Sequence, residues 1–411
     1  MGRQSPEEAL RLLLEHAAPL TPVRADLESA LGRVLAEDVV AAANVPPFVN
    51  SAMDGYAVRA ADVEGAAPEA VRRLRVVDDV PAGRTASVAV HPGTAIRVMT
   101  GAPVPDGADT VVPVELTRLS EPWVEVLRAP PQGAHVRQAG EDVRQGERVL
   151  VAGTPLRPAE IGLLAALGRA QVRVHPSPRV ALVTTGDELV AVSEQPGPGQ
   201  IRDANIHSMA AQVRTFGGTA LLFPRVPDRE QAVRDTLAAA LASADVLITN
   251  GGVSVGTHDH IKAMVQELGA HLVFWGVEQK PGSPLAFWTR QDKLIVGSPG
   301  NPVSVMVCLE EYVRPLLRQL SGFRHLHRPV RRARLANGYD KGRADGRLHF
   351  VRVQAEERDG ALWASSTGPQ GSGILSSMAR ANALALVPAD VAAVPAGGPV
   401  LLHMTDLPED H

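Results

Sequence analysis

The spacing of hydrophobic positions changes character along this 411-residue chain. At the start, EEALRLLLEHA repeats apolar residues at helical intervals. Ser5, Pro6 and Glu8 supply a cap, a first-turn proline and a capping-box acid for that helix. A second helix is predicted around 27–37. From Val45 the texture shifts to short apolar runs, RLRVVDDV, TAIRVMT and WVEVL, separated by Pro and Gly turns. That pattern predicts a β-rich domain. GTPLRPAEIGLLAA (153–166) predicts a helix and QVRVH a short strand. The segments flanking the β-rich stretch are therefore expected to pack together, with the β domain inserted between them.

From Pro178 the alternation becomes regular. Strand RVALVTT leads to a helix beginning near Asn205 and stopped by Gly217-Gly218. TALLFPRV follows, then helix REQAVRDTLAAALA behind a capping-box pattern of Asp228 and Gln231. Strand ADVLITN, a Gly-rich loop and a helix ending at Gly269 come next, then strands HLVFWGV and KLIVGS and a helix from about Asn301 to Leu320. Val- and Ile-rich strands alternating with helices predict a parallel sheet covered on both faces. After a polar, basic linker (322–332), LHFVRVQAE, ALWASS, ALALVP and PVLLHM predict a small C-terminal β domain. The expected division is an N-terminal and linker domain at 1–45 and 147–177, an inserted β-rich domain at 46–146, an α/β domain at 178–326 and a β domain at 327–411.

Composition sharpens this picture in three places. Aromatic residues are only 3% against 45% hydrophobic, so Ala, Val and Leu must fill the cores. A net charge of −4 and a pI of 6.4 give no electrostatic reason to expect nucleic acid or an anionic membrane. The N-terminus lacks an apolar signal-peptide core, Pro6 stands where a myristoylation signal needs Ser or Thr, and no run of ~18 apolar residues exists. The expectation is a soluble cytoplasmic protein. A single cysteine, Cys308, excludes an internal disulfide and a Cys-based metal cluster, and its apolar helical setting predicts a packed core thiol.

The chemistry concentrates in three loops after strands of the α/β domain: Thr184-Thr185-Gly186-Asp187-Glu188, Asn250 to Asp259, and Gly297 to Ser304. Ligands of open α/β sheets bind at the carboxyl ends of the strands. Glycines at 251, 252 and 256 let backbone N–H groups approach an anion, helix N-termini follow the second and third loops, and Ser254, Thr257 and Ser304 add hydroxyls. A phosphate-bearing small molecule is the expected ligand. A hard cation such as Mg²⁺ takes carboxylate and phosphate oxygens together, so Asp187, Glu188 and Asp259 are candidate metal or acid/base groups. Asp228 reads as a helix cap, and Lys262 and Lys280 as point charges for phosphate. His258 and His260 have a poor zinc spacing. In the β domain, polar clusters surround Asp54, Thr100-Gly101-Ala102-Pro103 and Arg137 to Asp142.

Several strings occur here in a distinctive order: PPFVNSAMDGYA (46–57), RVMTGAPVPDGADTVV (97–112), VRQAGEDVRQGERVL (136–150), TTGDEL (184–189), GQIRDAN (199–205), NGGVSVGTHD (250–259), KPGSPLAF (280–287) and GSPGNPVS (297–304). In that order they resemble the MoeA family, which is similar to the E domain of gephyrin. The resemblance implies an α/β multidomain protein of four domains working as a homodimer, in which the domain from Pro178 is a MoaB/MogA-like three-layer α/β fold with a parallel-rich sheet. It implies molybdenum insertion into adenylylated molybdopterin with AMP release, Mg²⁺ as cofactor and molybdate as substrate, with other molybdenum-cofactor synthesis proteins as further partners. By motif, Asp54, Thr100, Arg137 and Asp142 would face the cleft from the β domain of a partner subunit. Glu188, Asp228, Asp259, Lys262, Lys280, Pro299 and Pro302 would line it from the α/β domain, with Glu188, Asp228 and Asp259 as metal ligands and Asp54, Asp142, Glu188 and Asp259 as catalytic acids. Gly251, Gly252, Ser254, Gly256, Gly300, Asn301 and Ser304 would hold phosphates, and Arg352 and Ser372 of the C-terminal domain are further cleft candidates.

The chain departs from the family pattern where PGKP is usual, because Ser283 replaces the lysine, and where GLPGNP is usual, because Ser298 replaces the leucine. His258 and His260 also differ from the commoner family residues. Two alternative functions stay open at this stage, a non-catalytic gephyrin-like scaffold and a MogA-like pterin adenylyltransferase.

Overall fold

The computed structural model describes residues 2–227, 229–251 and 260–406, without the side chain of His260. The chain forms two compact units, Met1–Ala36 with Gly153–Leu156 and Arg173–His411, and Glu37–Ala152 with Arg157–Val172.

The first unit is built on a six-stranded sheet whose strands we number β1 (Arg179–Thr184), β2 (Thr219–Leu222), β3 (Val246–Asn250), β4 (His271–Trp275), β5 (Ala286–Arg290) and β6 (Lys293–Ser298). Their spatial order is β2-β1-β3-β6-β5-β4. The central strands are buried on both sides, so their apolar runs are continuous rather than alternating. Neighbouring residues still choose opposite layers. Val180, Leu182, Val246 and Ile248 pack with helix α1 (Ala204–Thr215), the N-terminal helix Pro6–Glu15 and the helical run after β6. Ala181, Val183, Leu247 and Ile295 pack instead with α2 (Glu230–Ser243) and α3 (His260–Glu267). The result is the expected three-layer α/β arrangement.

The sheet is parallel-rich, as the resemblance implied, although it is not wholly parallel as strand–helix alternation alone predicted. Strand β5, AFWTR, was not anticipated, and it pairs antiparallel with both β6 and β4. A tight turn at Gln291, which adopts φ 53°, reverses the chain directly into β6. Four other local expectations change. The helix at Leu27 stops at Ala30, because Gly32 (φ 76°) turns the chain into β-bridges at Val34 and Leu35. Ser5 does cap the first helix, but the Glu8 carboxylate bonds Arg11 rather than completing a capping box. The helix expected from Gly153 begins at Pro158. The run expected from Asn301 is helical from α4 (Pro302–Cys308) to Leu320, but Leu309–Val313 form a π-helical stretch within it. Asp228, the expected cap of α2, lies outside the described residues; Arg229 occupies the cap position there and makes no side-chain cap bond.

The C-terminal strands close on themselves. Leu348–Arg358, Ala361–Ser366, Val330–Leu335, Gly398–Met404 and Ala383–Val387 pair in a ring that returns to Leu348–Arg358, and this closure removes the free sheet edges. The first of these barrel strands to be met, Val330–Leu335, starts inside the predicted linker. A two-residue strand, Gln279–Lys280, adds in parallel at Leu348 and His349 and so ties the barrel to the α/β sheet. Val303 and Val307 of α4 pack with Phe350 and Leu384 of the barrel to seal that junction. Among the described residues, no helix is long and apolar enough to cross a membrane.

The second unit carries a six-stranded sheet in the order Thr110–Pro113, Gly55–Val58, Thr94–Val98, Arg72–Val80, Trp123–Val126 and Thr117–Ser120. Gly55 is obligatory at the start of the second of these strands. A Cβ there would lie 2.2 Å from the carbonyl oxygen of Val112 on the neighbouring strand, and backbone cannot move aside cheaply. Gly55→Ala is expected to destabilise this unit by about 4 kcal/mol or more. Thermal unfolding of the variant beside wild type measures it, and an unchanged midpoint would contradict the packing described.

Candidate active site

Strands β1, β3 and β6 are parallel neighbours in one register, in which Thr184 pairs with Asn250 and Asn250 with Ser298. The three Gly-rich loops therefore leave the sheet side by side at its carboxyl edge. Asn250 holds the middle. Its side-chain amide donates to the Pro299 carbonyl at 2.6 Å and to the Ser298 hydroxyl at 3.3 Å. Asn205, on the first turn of α1, donates to the Asn250 side-chain oxygen at 2.8 Å and to the Gly300 carbonyl at 2.7 Å. The second and third loops touch at their glycines, for a Cβ on Gly300 would lie 4.0 Å from the Cα of Gly251. Sequence reading did not single out Asn205. The available signal was its place two residues after Asp203, whose carboxylate caps α1 through the Ile206 N–H at 3.0 Å and takes the Thr184 hydroxyl at 2.6 Å.

Ser298 stands where the resemblance leads leucine to be expected. It is fully buried, and its hydroxyl donates to the Thr249 carbonyl at 2.9 Å, so the change adds a polar tie between two strand ends. Gly300 and Asn301 are exposed, while Pro299 and Ser304 are buried, which turns the Ser304 hydroxyl away from solvent. Val303 donates its N–H to the Ser372 carbonyl at 3.0 Å, so the C-terminal barrel supplies a partner to the first turn of α4. The same turn of the barrel receives Arg352. That side chain is 1% exposed and donates to the Gly371 carbonyl at 3.0 Å and the Ser377 hydroxyl at 3.1 Å, and burial pulls its guanidinium down to about 10.

On the first loop Glu188 is exposed and folds back over Gly186. Its carboxylate oxygens occupy the space a Cβ on residue 186 would need, at 2.5 and 2.8 Å, and Gly186 has φ 146°. An exposed carboxylate beside glycine loops is a donor set that suits Mg²⁺, which is bound by one or two carboxylates together with ligand phosphates. Among the described residues no cluster of three or more His, Cys, Asp or Glu forms a self-sufficient metal site. Asp187 is also exposed. Asp228, Gly252, Ser254, Gly256, Thr257, His258 and Asp259 lie outside the described residues, as does the side chain of His260.

The two lysines are placed differently. Lys262, in α3, has its ammonium 5.9 Å from the ring centre of Trp275. Lys280 is exposed on the short strand that pairs with the barrel at His349. Ser283 donates its hydroxyl to the Val277 carbonyl at 2.8 Å, which closes the turn after that strand. Behind it Cys308 is fully buried, and burial pushes its thiol well up, as expected for a packed core cysteine.

In the second unit, Asp54 and Thr100 meet. One carboxylate oxygen of Asp54 accepts the Thr100 N–H and the Thr100 hydroxyl, both at 2.7 Å. Those two bonds, with Arg97 nearby, hold the Asp54 carboxyl below the usual carboxylate range. Arg137 is exposed and its strand pairs with Asn50-Ser51, four residues ahead of Asp54. Main-chain bonds from Ser51 to Ala102 and from Ala52 to His135 stitch the three segments together. Asp142 sits on a separate exposed turn fastened to Val45. Cavity size does not pick out these groups: the cavity lined by Glu7, Glu278, Arg332 and Leu401, about 580 Å³, contains none of the strand-end loop residues.

Comparison with known proteins agrees with this architecture. Residues 4–168 match the MoeA N-terminal region (domain I and II), 181–319 a probable molybdopterin binding domain, and 332–403 the MoeA C-terminal region (domain IV). A molybdopterin molybdenumtransferase of Nostoc sp. is 38% identical over 392 residues, covering 92% of this chain and 87% of that relative. The molybdopterin molybdenumtransferase 2 of Mycobacterium tuberculosis is 39% identical over 399 residues, covering 96% and 98%.

The chain belongs to the MoeA family.

A crystal structure of the molybdopterin biosynthesis MoeA protein from Pyrococcus horikoshii matches with a TM-score of 0.80 and 32% identity, covering 98% of this chain and 100% of the other. This MoeA-family chain thus shares the fold over nearly its whole length.

Two expectations follow from the geometry. Asn205→Ala removes two hydrogen bonds and leaves the Asn250 side-chain oxygen and the Gly300 carbonyl without that donor. Affinity for a phosphate-bearing ligand should fall about tenfold, by titration calorimetry, with the melting temperature little changed. Thr100→Val keeps the N–H but removes the hydroxyl donor from Asp54. Because the folded value is depressed, the stability that Asp54 contributes is present above its unfolded pKa and is lost as pH falls through the folded one. The variant should move the Asp54 midpoint up, toward the ordinary value of about 4, read by carboxyl carbon NMR. An unmoved midpoint would show the hydroxyl bond to be idle.

Proposed function

We propose that this chain is a molybdopterin molybdenumtransferase, an enzyme that inserts molybdenum from molybdate into adenylylated molybdopterin and releases AMP. The observation that carries the reading is the in-register edge where the loops after Thr184, Asn250 and Ser298 leave the sheet together, clamped by Asn205. Relatives at 38–39% identity carry the molybdenumtransferase name.

In this reading, Gly251, Gly252, Ser254 and Gly256 with Pro299, Gly300, Asn301, Pro302 and Ser304 frame the phosphates, chiefly through backbone N–H groups and the N-terminus of α4. Lys262, Lys280 and Arg137 balance the charge of phosphate and molybdate. Glu188, Asp228 and Asp259 would hold Mg²⁺, which neutralises phosphate charge when bound. Asp259 and Glu188 also orient the water that attacks the phosphoanhydride: one P–O bond forms from water, the other breaks, and AMP leaves with its phosphate. Such chemistry depends on positioning and electrostatics more than on covalent steps. Asp54, whose ionised carboxylate Thr100 stabilises, and Asp142 are catalytic carboxylates contributed from a second copy, so the active species is a homodimer. The four-part division at 1–45 with 147–177, 46–146, 178–326 and 327–411 belongs to the same reading.

The test gives purified protein adenylylated molybdopterin, molybdate and Mg²⁺, and measures AMP release and active cofactor. Wild type is expected to turn over, and Asp259→Asn to lose at least about a hundredfold in rate. Mixing inactive Asp54→Asn and Asp259→Asn chains should restore part of the activity, since one shared site of the mixed dimer would be intact. Pterin adenylylation from ATP in place of AMP release, or ligand binding without turnover, would overturn the reading.

A further inference from the structure

Buried polar side chains gather behind the short strand Gln279–Lys280, away from the strand-end loops. Gln279 is 0% exposed, and both ends of its amide are engaged. Its Nε2 donates to the Pro281 carbonyl at 3.0 Å and to Cys308 Sγ at 3.7 Å, and its Oε1 accepts the Tyr312 hydroxyl. Tyr312 is buried too, and burial pushes its phenol well up, so it keeps the proton it donates. Cys308 and Tyr312, four residues apart on the helical run after β6, approach the amide together.

Two backbone features serve this contact. Tyr312 lies in the π-helical stretch Leu309–Val313, a rare geometry that occurs mostly as single turns and frequently at functional sites. Pro315 follows it, with no N–H for the α ladder and a ring that clashes with the carbonyl four residues back, that of Glu311; this accounts for the opened turn. On the other side, Gly282 (φ 93°) brings its turn hard against the helix. A Cβ there would lie 2.5 Å from Cys308 Sγ, 2.7 Å from Gln279 Nε2 and 3.4 Å from the Ser304 carbonyl. Ser304 is in the first turn of α4, the helix that the third loop enters. Strand alternation sends the Lys280 side chain away from Gln279, and it is exposed.

A buried amide bonded at both ends is costly to displace, because losing either partner leaves a polar atom without water. The main chain at 279–281 is therefore held against α4 by one side chain. Pairing with Leu348 and His349 holds the same strand from the barrel.

We propose that Gln279 and Tyr312 are positioning residues that fix Lys280 for its contact with the anionic substrate. The proposal rests on the functional reading above, in which Lys280 balances substrate charge. Tyr312 acts through Gln279, and Gln279 acts through the Pro281 carbonyl on the main chain of Lys280.

The test measures kcat/KM for molybdate in AMP release by the full chain, with amide exchange across 277–285 as a readout that needs no turnover. The variants are Tyr312→Phe, Gln279→Met and the two combined. The combined variant decides most, since replacing both partners by apolar groups of similar shape leaves stability nearly unchanged. All three should lose about tenfold in kcat/KM and exchange faster across 277–285, while the combined variant melts close to wild type. In a Lys280→Gln background, Tyr312→Phe should cost nothing further, as action through Lys280 requires. Wild-type activity in the combined variant, or losses that multiply with Lys280→Gln, would overturn the proposal and leave the amide a role in stability alone. Wild type without turnover, beside faster exchange in the variants, would overturn the functional reading and leave the anchor standing.

Discussion

Parallel pairing of β1, β3 and β6 brings Thr184, Asn250 and Ser298 to one level, and the proposed chemistry depends on that register. A slip of one residue would turn each strand's side chains to the opposite layer, forcing Leu182 and Ile248 into the core where Val183 and Leu247 now pack and breaking the fit of both cores. Two separate cores, one on each side of the sheet, therefore lock the height at which the loops begin. The Asn205 and Asn250 amides then convert that common height into a fixed spacing between loops. Burial sets the register, and a few directed hydrogen bonds set the gap in which an anion could sit.

Much of the α/β layering could be read from the chain because its cause is local. RVALVT, VLITN and KLIVGS are apolar runs ending at Thr, Asn or Ser within two residues of glycine or proline, and each became a strand ending at that point. Strand β5 escaped because AFWTR is joined to KLIVGS only by Gln291-Asp292, without glycine or proline to mark the turn, and its direction depends on pairing with β6. Likewise Leu27 begins a helix, but the positive φ at Gly32 and bridges to Pro155 and Val174 decide where the chain goes next. Periodicity over ten residues cannot report partners more than a hundred positions away. Closure of the C-terminal barrel is invisible for the same reason, since LHFVRVQAE gives no sign that it pairs with both ALWASS and ALALV.

The site divides along the same line. Glycines and carboxylates in loops are legible because residue type alone restricts what they can do. Contacts such as Asp54 with Thr100, 46 residues apart, and Asn205 with Gly300, 95 residues apart, exist only in the fold. The motifs could say that these segments belong together, but not that Thr100 supplies two donors to one oxygen of Asp54 while Asn250 reaches across to Pro299.

The substitution at Ser283 gains its meaning from neighbours that no motif includes. Its hydroxyl is turned inward to the Val277 carbonyl, so within Gln279–Leu285 the cation is Lys280. Lys280 is held in place by main-chain pairing opposite His349 of the barrel. His349 is buried between the Tyr339 hydroxyl and Asp345, each at 3.0 Å. A carboxylate can only accept, so Nε2 of His349 carries the proton toward Asp345 and Nδ1 accepts from Tyr339. Burial alone would raise the Asp345 carboxyl, yet the bonds from His349 and Arg347 keep it well below the usual range. Burial likewise drives His349 below its ordinary value, against the pull of Asp345, so near neutral pH the ring is uncharged. A protonated imidazole opposite Lys280 would repel the one ammonium this segment retains. A neutral one lets the barrel fix the strand without that repulsion, so main-chain pairing holds Lys280 beside the turn that Ser283 closes.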